Sequence, residues 1–446
     1  MERKLKKYIA ANVLAMVGTS CYVLADTFFI SIAEGANGIT ALNLILPVYG
    51  LIYAIGSMIG VGSATRYSLS KSVGRDDADD YFSNSILCTL LSSTIFIFVG
   101  VFFPEQLLKM LGADEQILNV GLSYIRIVLY FTPFFMLNYT FTAFVRNDNA
   151  PKIAMLATLI SGIFNIVFDY IFMFPMKMGM AGAALATGIS PIVSMSICML
   201  HYLSKQNTIV FVKKLPSVRK LIASCNLGVV AFVGELSNGI TTLVFNFLLL
   251  GLAGNIAVAA YGVVANIALV GTALFNGVSL GLQPVASSAH GKISESAEKK
   301  LYKHALKIGM GIAIVLVAVV ILFAKPLIAI FNSQDSSTLE AYAMVGLRLY
   351  FLGFLVAAVN IIKAGFYSAV GKALESSVIA LSRGIFMISS MAFLLSQLFG
   401  IIGVWLAFPV SEVATWMISK IMDAWKKQIC LKEQTKQSTC ISKIHP

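Results

Sequence analysis

The chain has 446 residues, 58% hydrophobic and only 12% charged, with a mean hydropathy of +0.84. Soluble globular domains are about 25% charged, so this chain lacks the polar side chains to cover a water-facing surface, and a soluble protein is excluded. The net charge of +12 reads as loop lysine and arginine beside a membrane, not as a nucleic-acid surface, and no nucleic-acid partner is expected.

Apolar runs of about 20 residues, enough to cross ~30 Å of hydrocarbon as helices, recur along the chain. They do not alternate with period 2, as barrel strands would. The basic start MERKLKKY leads into a run too long for a signal-peptide core, so it reads as a retained first span. The spans are predicted near 8–33, 39–66, 82–103, 119–144, 153–174, 181–203, 225–251, 257–281, 302–324, 342–368, 376–397 and 400–423, about twelve in all. The expected class is therefore an all-α polytopic membrane protein. With the N-terminus inside, the inner segments hold Arg3, Lys4, Lys71, Arg75, Arg146, Lys152, Lys213, Lys214, Lys299, Lys372 and many more, including the tail lysines. The outer loops hold only Lys109, Lys177 and Lys325. This asymmetry predicts two cytoplasmic termini. The six cysteines and four histidines form no CxxC or metal-ligand spacing.

The halves resemble each other in register. GVGSATRYSLSKSVGRDD at 60–77 is matched by GVSLGLQPVASSAHGKIS at 277–294. Pro104 corresponds to Pro326, and Arg126, Asn138 and Phe144 to Arg348, Asn360 and Phe366. Gly179, Gly182, Leu185 and Ala186 correspond to Gly400, Gly403, Leu406 and Ala407. Four ordered matches, at offsets of about 217 to 222 residues, indicate duplication. Six spans per half is an even number, so the repeat is parallel, with a cleft between two lobes. The expected organisation is an N-lobe at 1–203, a cytoplasmic linker at 204–220, a C-lobe at 221–424 and a basic cytoplasmic tail at 425–446.

Ionisable groups at membrane depth cost about 3 kcal/mol or more, so they mark candidate sites. Asp26 lies inside YVLADTFFIS, on one stripe with Asn12 and Thr19. Asn165 and Asp169 sit one turn apart in the fifth span. Two carboxylates with an amide and a hydroxyl suit a proton or a hard cation such as Na⁺; hydrogen bonding between helices is the alternative use. Glu235, Asn238, Thr242 and Asn246 form a second stripe in the seventh span, either a cavity wall or a helix contact. Lys363 and Arg383 read as snorkelling side chains, with a Glu235–Lys363 pairing as the other option, and Glu412 has no visible partner. No Walker motif occurs, so energy is expected from an ion gradient and no cofactor is required.

Several segments together identify a resemblance. LADTFFIS, GVGSATRYSLSKSVGRDD, FVRNDNAPKIAM and especially NIVFDYIFMFPMKMGMAGAALAT resemble motifs of the multidrug and toxic compound extrusion (MATE) transporters, over nearly the full chain. The resemblance implies a secondary active antiporter in the cell membrane of a bacterium or archaeon, exporting organic cations or drugs in exchange for H⁺ or Na⁺. It implies no enzymatic activity, a monomer in contact with membrane lipid, and a cation or proton site at Asp26, Asn165, Asp169, Thr187 and the carbonyl near Ala183. Candidate cleft residues are Glu235, Asn238, Thr242 and Asn246, with Tyr22, Tyr139, Phe245 and Phe275 as aromatic surfaces. Two departures stand out: FYSAVGKALES carries no tenth-helix aspartate, and no proline lies between Tyr8 and Asp26. A lipid-linked-precursor flippase, or a membrane-embedded enzyme or receptor, are the competing readings.

Overall fold

A computed structural model describes residues 2–113, 115–290, 295–331 and 337–441, and every element in those residues is a helix. The expected spans are present: Arg3–Glu34, Leu44–Ser72, Ala78–Phe102, Pro151–Met173, Gly179–Tyr202, Val218–Gly254, Ile256–His290 and Ser296–Leu322 are each long and apolar enough to cross a bilayer. The fourth and tenth spans are bent pairs, Glu115–Tyr130 with Thr132–Asn147 at 47° and Ser337–Leu352 with Phe354–Ala369 at 44°. Pro133 in the first turn of the second segment explains the first bend, because it has no N–H to continue the helix. The final stretch, Ala373–Trp425, breaks at Gly400, where the backbone leaves helical geometry, and so supplies spans eleven and twelve.

The duplication seen in the sequence recurs in the fold. Short helices Pro104–Met110 and Ala324–Phe331 follow spans three and nine, and the bent spans occupy equivalent places. Gly179 and Gly400, paired in the repeat, both take positive φ, 52° and 56°, just before spans six and twelve. Each lobe has its own apolar core, one around Ile45, Tyr124 and Phe135 and the other around Phe245, Tyr350 and Trp405.

The lobes meet where spans two and seven cross and where spans one and eight cross. A Cβ on Gly228 would lie 2.0 Å from the Met58 carbonyl oxygen, and one on Gly277 would lie 2.5 Å from Val13 Cα. Only glycine lets two backbones approach so closely. Both crossings lie in the halves of these spans nearest residues 3, 72, 218 and 290, the end that carries the N-terminus.

Between spans six and seven the chain runs without helix and is fastened to the N-lobe. The Val210 N–H donates to Asp79 Oδ1 at 3.2 Å and the Val212 N–H to Ser83 Oγ at 2.7 Å. Asn84 grips Ser217 by both backbone groups: the Ser217 N–H donates to Asn84 Oδ1 at 2.6 Å, and Asn84 Nδ2 donates to the Ser217 carbonyl at 3.3 Å. Buried Asp148 accepts from the Thr208 N–H at 2.8 Å and from Tyr67 at 3.2 Å, contacts the Thr208 hydroxyl, and lies 2.9 Å from His201 Nε2. The side chains of the predicted basic tail lie outside the described residues.

Candidate functional site

In the N-lobe, spans one, five and six bring the predicted polar residues together. Gly162 lets span one approach span five: a Cβ there would lie 3.1 Å from the Tyr22 ring. One turn past Tyr22 comes Asp26, and two turns past Gly162 comes Asp169, so the same close approach aligns the two carboxyls. They are near enough to act on each other directly. Asp169 is fully buried and Asn165 is 1% exposed. Asn165 Nδ2 donates to Thr187 Oγ1 at 3.2 Å. Ala183 is buried one turn before Thr187 on the same helix.

The oxygens of this cluster are under-used. Asp26 Oδ1, Asn165 Oδ1 and both carboxylate oxygens of Asp169 are buried with no hydrogen-bond partner outside the cluster among the described residues, and the two carboxyls lie within hydrogen-bonding reach of each other. Buried polar atoms ordinarily find partners, so two carboxyls and an amide oxygen left without an outside donor form a site suited to a proton or a hard cation.

This cluster backs onto a cavity of about 380 Å³ between the lobes. Asn165 and Thr187 reach the cavity while Asp26 and Asp169 stand behind them. Tyr22, Tyr53 and Tyr139 give it an aromatic wall, with the Tyr53 and Tyr139 rings 5.9 Å apart. Such faces attract cations. From the C-lobe, Glu235 enters the cavity and accepts a 2.9 Å hydrogen bond from the Tyr139 hydroxyl.

Several sequence expectations are corrected. Glu235 is bound to Tyr139, not Lys363. Lys363 does not snorkel: it is 6% exposed, donates to Asp423 at 2.6 Å and to Ser419 Oγ at 3.0 Å. Glu412 does have a partner, Arg383, at 2.7 Å. Phe245 and Phe275 are fully buried in the C-lobe core and do not line this cavity. Thr242 and Asn246 also lie off it, with Thr242 hydrogen-bonded to Tyr261; the Asn238 side chain lies outside the described residues. Arg146, expected among the cytoplasmic loop charges, is instead 7% exposed in the cavity wall. Tyr53, Asn276 and Gln283 also line the cavity and were not anticipated. Asn276, Ser279 and Gln283 fall at i, i+3 and i+7 of span eight, a polar stripe that was there to be read.

The C-lobe holds no copy of the N-lobe cluster. SGIFNIVFD at 161–169 aligns with RGIFMISSM at 383–391, so Met387 and Met391 stand where Asn165 and Asp169 do. Arg383 lies in a π-helical turn, Ser382–Phe386, which turns it towards Glu412.

Comparison with known proteins agrees with this architecture. The multidrug export protein MepA of Staphylococcus saprophyticus is 26% identical over 409 residues, covering 88% of this chain and 86% of the relative. MepA of Staphylococcus aureus strain MRSA252 is 26% identical over 406 residues, covering 89% and 88%. Among solved structures, one described as the outward-facing conformation of a multidrug resistance MATE family transporter of the MOP superfamily superposes with a TM-score of 0.88 at 21% identity, over 96% of this chain and 97% of that one. Crystal structures of MATE in the straight and bent conformations match with TM-scores of 0.88 and 0.85, at 20% and 21% identity, each over 97% of both chains. The MatE family model matches twice, over residues 12–171 and 231–391, one match in each half of the repeat. With two lobes, a cavity between them and the family model over most of its length, this chain belongs to the MatE family of membrane transporters.

Proposed function

We propose that this protein is a secondary active exporter that expels organic cations or drugs across the cell membrane in exchange for H⁺ or Na⁺. The observation that carries this reading is the set of buried oxygens on Asp26, Asn165 and Asp169 that no group outside the cluster satisfies, set directly behind an aromatic cavity that also contains Glu235. Negative charge beside aromatic faces favours a bulky cation. Loading the carboxylates with a proton or Na⁺ removes that attraction, so binding of the coupling ion and of the drug oppose each other. The MepA relatives, named as multidrug export proteins, support the export direction.

Asp26→Asn and Asp169→Asn keep the shape of each side chain and remove its charge. Both are expected to abolish ethidium efflux from cells at wild-type expression. Normal efflux in both variants would overturn the reading. Proteoliposomes with a pH gradient or a Na⁺ gradient alone then identify the coupling ion.

A further inference from the structure

The cavity contains a positive charge that the proposed exchange does not use. Arg146 lies in the last turn of Thr132–Asn147. A long basic side chain at a helix end ordinarily reaches out to the membrane surface. This one turns inward, 7% exposed, and lines the cavity. Its Nη1 donates to Asn12 Oδ1 at 3.1 Å, while Nε is buried without a partner. Among the described residues no carboxylate pairs with it, and the nearest titratable group is the buried, neutral thiol of Cys198. A buried cation without a counter-ion is costly, and a guanidinium with a free edge is shaped to take a carboxylate through two hydrogen bonds.

The surroundings fit an incoming anion. Gln283, 5% exposed and contributed by the opposite lobe, faces the same cavity and carries two amide N–H donors that can turn to an anion. The negative pole of the cavity is fixed by the same helix that carries Arg146. Tyr139, which holds Glu235, precedes Arg146 by seven residues, two turns on one face, which places the poles about 10 Å apart along the helix.

We infer that Arg146 is a specificity-determining residue and that the cavity floor around it is an anion subsite. The ligand it would discriminate is amphoteric: a flat aromatic compound with a cationic end for Glu235 and the tyrosine wall, and a carboxylate for Arg146. The inference rests on the export reading above. The simpler role for Arg146, tying span four to span one through Asn12, would affect every ligand alike.

A matched dye pair separates the two. Rhodamine 110 carries a free carboxylate, and rhodamine 123 is its methyl ester with the same cationic ring system. Fluorescence anisotropy with the purified full-length protein in lipid nanodiscs reads binding of each. The wild type is expected to bind both. Arg146→Gln is expected to weaken rhodamine 110 about tenfold or more, the worth of a charge-assisted hydrogen bond, and to leave rhodamine 123 within about twofold. Arg146→Lys, which keeps the charge without the fork, is expected to lose about threefold for rhodamine 110 only, and it decides the matter if the glutamine variant is not recovered folded. Equal effects on both dyes, or none, overturn the proposal. Wild-type binding of rhodamine 123 but not rhodamine 110 overturns it while leaving the export reading intact; binding of neither dye overturns both.

Discussion

Glu412 lies deep in the last span, 1% exposed, and its carboxylate is saturated by donors. Arg383 donates from Nη2 at 2.7 Å and from Nε at 3.1 Å, and Asn360 donates from Nδ2 at 2.7 Å. Removing the carboxylate would strand a guanidinium in an apolar core, which costs about 3–5 kcal/mol. Glu412→Ala is therefore expected to lower the thermal unfolding temperature of the detergent-solubilised protein by several degrees, and the double replacement Arg383→Met with Glu412→Met to recover most of that loss. An unchanged melting temperature in the single variant would contradict this account. The residues of the N-lobe cluster were legible in the sequence because two carboxylates in apolar helices have few bland uses, and the Asn165–Asp169 spacing puts both on one face. The partner of Glu412 was not legible: Arg383 and Asn360 lie 29 and 52 residues away and meet it only through folding. Arg146 was misread because a charge at a span end has the same composition whether it points out or in. Asn138, Thr142 and Arg146, at i, i+4 and i+8, nevertheless share a face with the cavity.

Hydropathy defined the spans well as elements, since a run of about 20 apolar residues has little other use. Their internal breaks were less readable. Pro133 marks one bend, but the equivalent bend at Gly353 and the π-helical turn at Ser382–Phe386 carry no comparable signal. The connection between spans six and seven looked like a basic loop, and its anchorage was hidden because the partners come from spans two, three, four and six. Asp148 is the centre of that anchorage. It is 2% exposed and satisfies the Thr208 N–H, Tyr67 and His201. Hydrogen bonds to a charged group contribute about 1.5–3 kcal/mol each. Asp148→Ala is expected to free the segment around Thr208 and to speed tryptic cleavage after Lys205, Lys213 and Lys214, read by mass spectrometry. Cleavage at the wild-type rate would show that the other contacts hold the segment alone.

At the scale of the molecule, the repeat predicts two similar lobes, and the fold has them, but the chemistry has become unequal. The N-lobe keeps two carboxyls at membrane depth with no basic partner among the described residues; the C-lobe has methionines at the equivalent places and pairs Arg383 with Glu412 and Lys363 with Asp423. The lobes are held together by crossings that depend on glycine. Gly228→Leu would push side-chain atoms into the Met58 backbone, 2.0 Å from where a Cβ would stand. The crossing must then open, and the half-buried Cys225 nearby is expected to react with maleimide several-fold faster than in the wild type, measured site by site. Unchanged labelling would mean that the crossing yields elsewhere.

The grip of Asn84 on Ser217 bears on how the halves can move. A free connection of about 14 residues would let its ends wander by about 20 Å. Here the tether is spent one residue before span seven begins at Val218. The second half therefore leaves the first from a fixed point with no slack, so any rocking has its fulcrum at this joint. A fixed fulcrum narrows the range of arrangements the two lobes can take and ties any displacement far from the joint to rotation at a single place.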